Sequence, residues 1–416
     1  MKKIIQQAFF QLRNQPLLSV ITVLGTALAI ALIMVILIVY QAKTADYAPE
    51  VNRSRSLYVK WERTVYDKKD PNSAGHSRPS LWLVKEIFYP LTTPEAVTAT
   101  YEGGEVLVGT VGSDEEMNTP LMLTDAAFWK VYQFRFLAGK PFTEADFQSG
   151  MKQAVIAKSV ARRLFGGAEN AIGKDILVNF AAYTVCGVVD DVNRFCEFTW
   201  SEVYAPYTSN AIASEAEAGQ TSGNNVITIL ARSTDDFDAI RNEVARGVAQ
   251  INTTLGDMEL QLMGQPDNFR MQLNRKFANQ YENLNANFWK YGIMILIILL
   301  VPAINLSGLT NTRMRRRLEE LGIRKAFGAT RNELVWQVLN ENLVLTVMGG
   351  LLGLALAYLF LWLMSDWLLQ TVWGATATMN ASMVSPVIFL IAFGFCLIGI
   401  RACMESGAYS NCRFVE

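Results

Sequence analysis

The stretch LLSVITVLGTALAIALIMVILIVY, Leu17–Tyr40, runs for 24 residues without a charged side chain. A helix that crosses the hydrocarbon core of a bilayer needs about 20 predominantly apolar residues. Three later stretches, of 19, 23 and 18 residues, are equally free of charge: Tyr291–Leu309, Asn342–Met364 and Met383–Ile400. Core helices of soluble proteins are seldom this long without a charge, and a signal peptide has a shorter apolar region. The sequence therefore predicts an α-helical membrane protein with four transmembrane helices.

The overall composition agrees with this prediction and excludes several other classes. Of 416 residues, 51% are hydrophobic and only 18% are charged, which is incompatible with intrinsic disorder. The net charge of −1 gives no basic surface for nucleic acid, so we expect no such partner. The single histidine, His76, and five cysteines without a CxxC pair argue against a metal centre.

Basic residues in the connections between the apolar stretches predict the orientation of the chain. Lys2, Lys3 and Arg13 precede the first stretch, and Ser365–Ser382 contains no basic residue. The connection 310–341 contains seven basic residues, namely Arg313, Arg315, Arg316, Arg317, Arg324, Lys325 and Arg331. Because basic connections stay in the cytoplasm, both termini and this connection are predicted to be cytoplasmic. Residues 1–16 are predicted to form an interfacial helix, and 41–290 to lie outside the membrane.

The segment 41–290, the insert, is long enough for a globular domain, and its patterns predict a mixed α/β fold. Ala154–Ala157 is a predicted strand, followed by a helix over Ser159–Phe165 that ends at Gly166-Gly167. Further strands are predicted at 176–179, 183–189 and 226–231, and Thr234 is the predicted N-cap of a helix. Residues 270–290 lack Gly and Pro and are predicted to form a helical stalk.

The insert contains no recognisable catalytic set. Asp190 and Asp191 are adjacent, so their side chains diverge on a strand, and the acidic run at 114–116 is typical of a solvated loop. His76 lies among polar residues and is expected to be exposed. Cys186 and Cys196 are expected to be two buried thiols, with a disulfide between them as the alternative.

The connection 310–341 holds the most informative motif, RRRLEELGIRKAFGATRNEL, residues 315–334. Leu318, Leu321 and Phe327 give a short helix an apolar face, and Gly328 is a predicted C-cap. Thr330 and Glu333 have the spacing of a capping box that begins the next helix. These features predict an amphipathic helix at the inner membrane surface, suited to contact with a cytosolic partner.

This motif closely resembles the cytoplasmic loop of MacB/FtsX-type ABC transporter permeases. Three segments of the insert, AVIAKSVARRLFGG, AIGKDILVN and YTVCGVVDDV, resemble the MacB-like periplasmic core domain of the same family. The resemblance implies four transmembrane helices, a mixed α/β periplasmic domain between the first two, and residence in the bacterial inner membrane. It places a coupling helix at Leu318–Gly328, with matching positions at Glu320, Gly322, Arg324, Lys325, Gly328 and Ala329; Ile323 lies within it.

The resemblance also implies the partners. A separate ABC ATPase would bind ATP and Mg²⁺, because this sequence has no GxxxxGK[ST] motif, so we expect no enzymatic activity and no cofactor in this chain. The permease would act as a homodimer or paired permease, surrounded by membrane lipids, with a periplasmic adaptor and an outer-membrane channel as further partners. Such permeases transmit ATP-driven motion to their periplasmic domains, here for efflux or export of peptides, drugs or similar substrates.

Alternatives remain open at this stage. A lipoprotein-releasing permease or an FtsX-like regulator of cell-wall hydrolases would share the layout, and a membrane-anchored ligand-binding or scaffold protein would need no ATPase. The cytoplasmic tail 401–416, RACMESGAYSNCRFVE, departs from the family tail. Its codons could spell that tail one base forward, so we hypothesise a frameshifted reading from about Arg401, which the gene's nucleotide sequence would test.

Overall fold

The structure is a computed structural model that describes residues 16–110, 116–194, 196–210, 217–275, 277–278, 289, 292–293, 297, 323, 326–328, 330, 347–360 and 363. The chain divides into two compact units. One comprises residues 43–283 and 366–379, and the other comprises residues 1–42, 284–365 and 380–416. The predicted interfacial helix over 1–16, apart from Pro16, which begins the next helix, lies outside the described residues. The fourth apolar stretch and the tail also lie outside them.

The first apolar stretch is helical, as predicted: α1 extends over Pro16–Thr44. Residues 347–360, within the third stretch, are also helical. None of the helices, over the residues that the structure describes, has the length and hydropathy that a membrane crossing requires. The number of transmembrane helices therefore stays a prediction.

Two glycines allow residues 347–360 to approach α1 closely. A Cβ atom added at Gly353 would lie 2.6 Å from the Ala27 carbonyl oxygen, and one at Gly349 would overlap the Thr26 hydroxyl. Ala27 and Thr26 are themselves buried. Small residues spaced four apart bring two helix backbones together in this way in membrane proteins.

We expect Gly353→Leu to lower the stability of the full-length protein by about 1–3 kcal/mol, because the added side chain has no room. Gly25→Ala is the matched control, since a Cβ atom at Gly25 meets nothing within 4 Å. Thermal unfolding in mild detergent would compare the two variants. Equal unfolding temperatures would show that the two helices do not pack as described.

The insert is built on two β-sheets. The larger sheet has ten strands in the order β14-β1-β12-β4-β5-β10-β7-β9-β6, with β8 pairing with β4 and β9, and the smaller has the order β11-β3-β2-β13. The strands are β1 Ser56–Val59, β2 Glu62–Val65, β3 Ala74–Pro79, β4 Ala96–Thr110, β5 Glu116–Thr124, β6 Phe136–Gly139, β7 Gln153–Ala157, β8 Asp175–Val178, β9 Ala181–Val189, β10 Val203–Pro206, β11 Ser222–Gly223, β12 Asn225–Leu230, β13 Glu259–Gln261 and β14 Asp267–Asn268.

The remaining helices of the insert are mostly short. They are α2 Leu81–Leu83, continued by a π-helix over Val84–Phe88, α3 Phe128–Val131, α4 Glu144–Gln148, α5 Lys158–Phe165, α6 Ala168–Ala171, α7 Phe237–Thr254 and α8 Phe269–Asn274. Single 3₁₀ turns occur at Arg53–Arg55, Tyr207–Ser209 and Thr234–Asp236. The insert is therefore mixed α/β, as predicted.

Both faces of the larger sheet are covered. Successive side chains of a strand point to opposite faces. In β1, Leu57 and Val59 belong to one buried apolar cluster, and Tyr58 belongs to a second, aromatic cluster. The second cluster also contains Phe128, Tyr204 and Phe269. This aromatic cluster lies where the chain enters and leaves the insert.

The predicted elements around Gly166 are confirmed. The predicted strands at 154–157, 176–179, 183–189 and 226–231 correspond to β7, β8, β9 and β12. Helix α5 ends at Gly166, whose φ of +76° is the left-handed conformation that glycine adopts without strain. The segment from β7 to Gly166 thus has the predicted order of a strand, a helix and a glycine.

Two boundaries differ from the prediction. Ser233, not Thr234, caps the helical segment that leads into α7, in a capping box with Asp236. The prediction of a helical stalk over 270–290 is wrong at Arg275. There α8 ends with an extended backbone, because the Arg275 side chain turns back to bind Asp267.

Candidate functional site

The structure describes only part of the predicted coupling helix. Ile323, Phe327 and Gly328 are described, and the other predicted positions, namely Leu318, Glu320, Leu321, Gly322, Arg324, Lys325 and Ala329, lie outside the described residues. The Phe327 N–H donates to the Ile323 carbonyl at 3.1 Å, and Gly328 has a φ of +92°. Both features are typical of a helix C-terminus. The Phe327 side chain is 89% exposed and Ile323 is 59% exposed.

The most unusual chemistry of the insert lies where α1 gives way to the domain. Glu50 and Arg53 form an ion pair in which Arg53 Nε donates to Glu50 Oε2 at 2.7 Å. Each residue is only 1% exposed. Burial raises the pKa of Glu50 by removing the carboxylate from water, and the Arg53 guanidinium opposes that shift. An ion pair this deeply buried fixes the positions of both side chains.

Arg53 binds the backbone of the segment that follows α1. Its Nη1 donates to the Ala45 carbonyl at 2.8 Å, directly after α1 ends at Thr44. The guanidinium also lies 4.3 Å from the centre of the Tyr47 ring and 4.8 Å from that of Phe269. One cation therefore contacts the incoming chain and, through Phe269, the outgoing chain.

A second buried ion pair holds the outgoing chain. Arg275 Nη2 donates to Asp267 Oδ1 at 2.9 Å, and Arg275 Nε donates to the other carboxylate oxygen, so the pair is bidentate. Asp267 is fully buried and Arg275 is 5% exposed. Because β14 pairs with β1, Asp267 lies opposite Tyr58 in the sheet. The two termini of the insert thus meet on adjacent strands.

We call this arrangement the root: Glu50, Arg53, Tyr58, Asp267, Phe269 and Arg275. The Tyr58 and Phe269 rings are 5.7 Å apart, and Phe198 stacks on Tyr58 with ring centres 4.3 Å apart. Glu50 Oε1 accepts hydrogen bonds from the Phe198 N–H at 3.0 Å and from the Thr199 hydroxyl at 2.9 Å. The root is therefore a buried cluster that joins the first and last segments of the insert to the body of the domain.

The root was not predicted from the sequence. Glu50 and Arg53 have the i, i+3 spacing of an ordinary surface pair, and Asp267 and Arg275 are eight residues apart, so neither spacing signals burial. A partial signal exists in Tyr47, Tyr58 and Phe269, aromatic residues placed close to both ends of the insert.

A cleft of about 340 Å³ lies elsewhere on the domain, with Tyr89, Asp125 and Glu144 among its lining residues. Asp125 Oδ1 accepts from the Thr98 hydroxyl and the Phe128 N–H, and Oδ2 accepts from the Tyr89 hydroxyl and the Ala99 N–H. With four donors, this buried carboxylate is satisfied within the fold. Asp125 therefore stabilises the cleft floor.

The remaining predicted positions have ordinary surroundings. Cys186 is half-buried and Cys196 is buried, and both are free thiols. Burial raises the pKa of the Cys186 thiol to about 12 and also raises the pKa of the Cys196 thiol, so neither environment favours a reactive thiolate.

The predicted polar positions also have ordinary surroundings. Asp190 lies 3.8 Å from both Arg135 and Lys158, whereas Asp191 accepts from the Ser159 N–H, so the two carboxylates have different partners, as predicted. His76 is exposed, as predicted. Across the described ranges, no cluster of side chains could hold a metal ion.

Comparison with known proteins identifies the family. The profile of the MacB-like periplasmic core domain matches residues 19–246, and that of the FtsX-like permease C-terminal domain matches residues 292–403. The chain belongs to the MacB/FtsX-type ABC transporter permeases, as the sequence motifs indicated. Its insert is accordingly an extracytoplasmic domain.

Individual relatives are distant. An uncharacterised ABC transporter permease, YknZ of Bacillus subtilis, is 23% identical over 82% of this chain and 81% of its own length. The macrolide export ATP-binding/permease protein MacB of Wolinella succinogenes is 25% identical over 84% of this chain. This chain spans 52% of that MacB protein. The crystal structure of the extracellular domain of YknZ from Gram-positive bacteria aligns with 50% of this chain, with 19% identity and a TM-score of 0.36.

Proposed function

We propose that this chain is the membrane subunit of an ABC transporter that transmits ATP-driven motion of a separate ATPase to its extracytoplasmic domain. Its relatives include ABC permeases and a macrolide exporter, which supports a role in export of peptides, drugs or similar substrates. The observation that carries the proposal is the root, because it joins the entering and leaving segments of the insert through two buried ion pairs.

The contacts of the root suit transmission of force. A displacement of α1 along its axis reaches Ala45 first, and Arg53 is bound to the Ala45 carbonyl, to Glu50 and, by ring contact, to Phe269. Moving Arg53 alone would separate it from Glu50. Because the pair is buried, water could not solvate the separated charges, so the movement would cost free energy. These contacts hold the segment that follows α1 to the body of the domain.

The cytoplasmic side of the proposal rests on the segment Leu318–Gly328. We assign it as the contact with the ATPase, which binds ATP and Mg²⁺, and the exposed Phe327 supports this assignment. The complex would contain two permeases, as a homodimer or a pair, in the inner membrane with both termini cytoplasmic. A periplasmic adaptor and outer-membrane channel would complete an export route.

Co-purification tests this assignment. Tagged full-length protein in mild detergent is expected to bring down a P-loop ATPase, and the double variant Glu320→Ala/Arg324→Ala and the single variant Phe327→Ala are expected to retain at least tenfold less. Arg331→Ala, on the same connection but outside the proposed helix, is the matched control and should retain the wild-type amount.

Two outcomes would contradict the proposal. Equal ATPase recovery with all variants would place the ATPase contact elsewhere in the chain. No ATPase with the wild type, under conditions that preserve other permease complexes, would favour a membrane-anchored ligand-binding or scaffold protein.

A further inference from the structure

One carboxyl group of the domain is buried without a hydrogen-bond donor. Glu202 is 4% exposed, and within the described part of the chain neither of its side-chain oxygens has a hydrogen-bond partner. The Ser159 hydroxyl, near the start of α5, is likewise buried without a hydrogen-bond partner among the described residues. A carboxylate left in this state would lose its hydration and gain no compensating bond, so the group takes up a proton instead.

The position of Glu202 in the sheet explains its surroundings. It directly precedes β10, which is antiparallel to β7, and its carbonyl accepts from the Ala157 N–H at 2.8 Å. Glu202 therefore lies at the edge where β7 and β9, which are parallel, both end and where α5 begins. Asp191, which follows β9, lies at the same edge of the sheet. Its carboxylate accepts a hydrogen bond from the Ser159 N–H at 3.0 Å.

The charged groups around Glu202 come from three parts of the fold: helix α5, strand β4 and the connection that follows β9. Asp191 follows β9, Arg163 belongs to α5, Glu105 belongs to β4, and Arg194 lies on the connection after β9. Burial, reinforced by the Asp191 charge, raises the pKa of Glu202 to about 7, against the opposing effect of Arg163 and Arg194. Arg194 is exposed, and its guanidinium carbon lies 5.1 Å from the centre of the Trp200 ring.

We propose that Glu202 is a proton-binding site of the extracytoplasmic domain, and that loss of its proton draws the Arg194 guanidinium from the Trp200 ring to the carboxylate. The proton leaves to water, and the carboxylate that remains needs donors. Arg194 can supply two parallel N–H bonds to it. At lower pH the neutral acid needs no counterion, and Arg194 stays on Trp200.

The site adjoins the root. Thr199 and Phe198, which bind Glu50 and pack on Tyr58, directly precede Trp200, and the Tyr204 hydroxyl donates to the Thr199 carbonyl at 2.7 Å. A change at Trp200 and Glu202 therefore reaches a segment fastened to the root. External pH would act on the domain at this point. The proton site itself depends on contacts within the domain alone, so its failure would leave the proposed transport function unaffected.

Intrinsic tryptophan fluorescence of the full-length protein in detergent tests the proposal between pH 5 and 9. The wild type is expected to show a transition with a midpoint near pH 7, as the ring of Trp200 loses its cation. The transition should be lost in Glu202→Gln, in Arg194→Gln and in Trp200→Phe. Asp191→Asn should move the midpoint to lower pH, because a like charge that disfavours ionisation is removed.

The single histidine of the chain, His76, provides the control, since histidine is the side-chain type that ordinarily changes charge between pH 5 and 8. His76→Gln should leave the transition unchanged. Absence of a transition in the wild type, its persistence in Glu202→Gln, or its loss in His76→Gln would overturn the proposal. Thermal unfolding supplies a second readout. Because the folded-state pKa of Glu202 is raised from 4.5 to about 7, wild type should lose stability relative to Glu202→Gln as the pH rises between these two values, and the difference should level off above pH 7.

Discussion

Replacing Arg53 by methionine is expected to destabilise the extracytoplasmic domain by about 3–5 kcal/mol, because the Glu50 carboxylate is then buried without its counterion. The variant also loses the hydrogen bond to Ala45 and the ring contacts with Tyr47 and Phe269. Pulse proteolysis in increasing urea, applied to the full-length protein in detergent, would measure the change.

Two further variants separate the loss of a partner from the loss of a charge. Glu50→Gln/Arg53→Met removes both charges, and it should recover most of the stability, since a buried pair can often be replaced by uncharged groups. Arg55→Met is the matched control. Arg55 pairs with Glu95 at 2.8 Å, but both side chains are about one-third exposed, so we expect a loss of only about 0–1 kcal/mol. If Arg53→Met costs no more than Arg55→Met, the root is not the buried cluster described above.

Local patterns were sufficient to predict much of the fold. The strand at β7, the helix α5, the glycine at its end and the pair β8–β9 all follow from short-range periodicity and turn residues. The class of protein followed from the length of the apolar stretch at Leu17–Tyr40 and from the charged motif around Arg324. Each of these signals is contained within about 25 consecutive residues.

The root could not be predicted, because its two segments, residues 50–58 and 267–275, are far apart in the sequence and meet only through the register of the sheet. Glu50 and Thr199 are 149 positions apart, and β1 meets β14 only because the ends of the insert pair with each other. Glu202 gave no signal either. A glutamate beside a strand is normally exposed, and its burial depends on β5 and β7 flanking β10 on both sides. At Arg275 the error is the opposite one. The sequence predicted a helix because the segment lacks Gly and Pro, but the helix ends there and Arg275 forms an ion pair with Asp267.

Insertion of Gly-Ser-Gly-Ser after Thr44 is expected to abolish the response of the extracytoplasmic domain to ATP while leaving the domain folded. The insertion lies between the end of α1 and Ala45, so every contact of the root is retained and only its connection to the helix becomes flexible. Hydrogen exchange of residues 56–275, compared between the nucleotide-free and the vanadate-trapped complex with the ATPase, would measure the response. The same insertion after Lys69, in an exposed turn between β2 and β3, is the matched control and should preserve the response.

The pattern of outcomes distinguishes transmission through the root from other routes. If motion passes from α1 through Arg53, the Thr44 insertion removes the exchange difference, and ATPase co-purification and domain stability stay at the wild-type level. An exchange difference that survives the Thr44 insertion would show that the outgoing chain at Arg275 transmits the motion without α1. In that case the same insertion after Ala278, whose carbonyl accepts a hydrogen bond from Arg275, should remove the difference instead. A response that survives both insertions together would contradict the mechanism, because the domain would then move without a rigid connection to either helix.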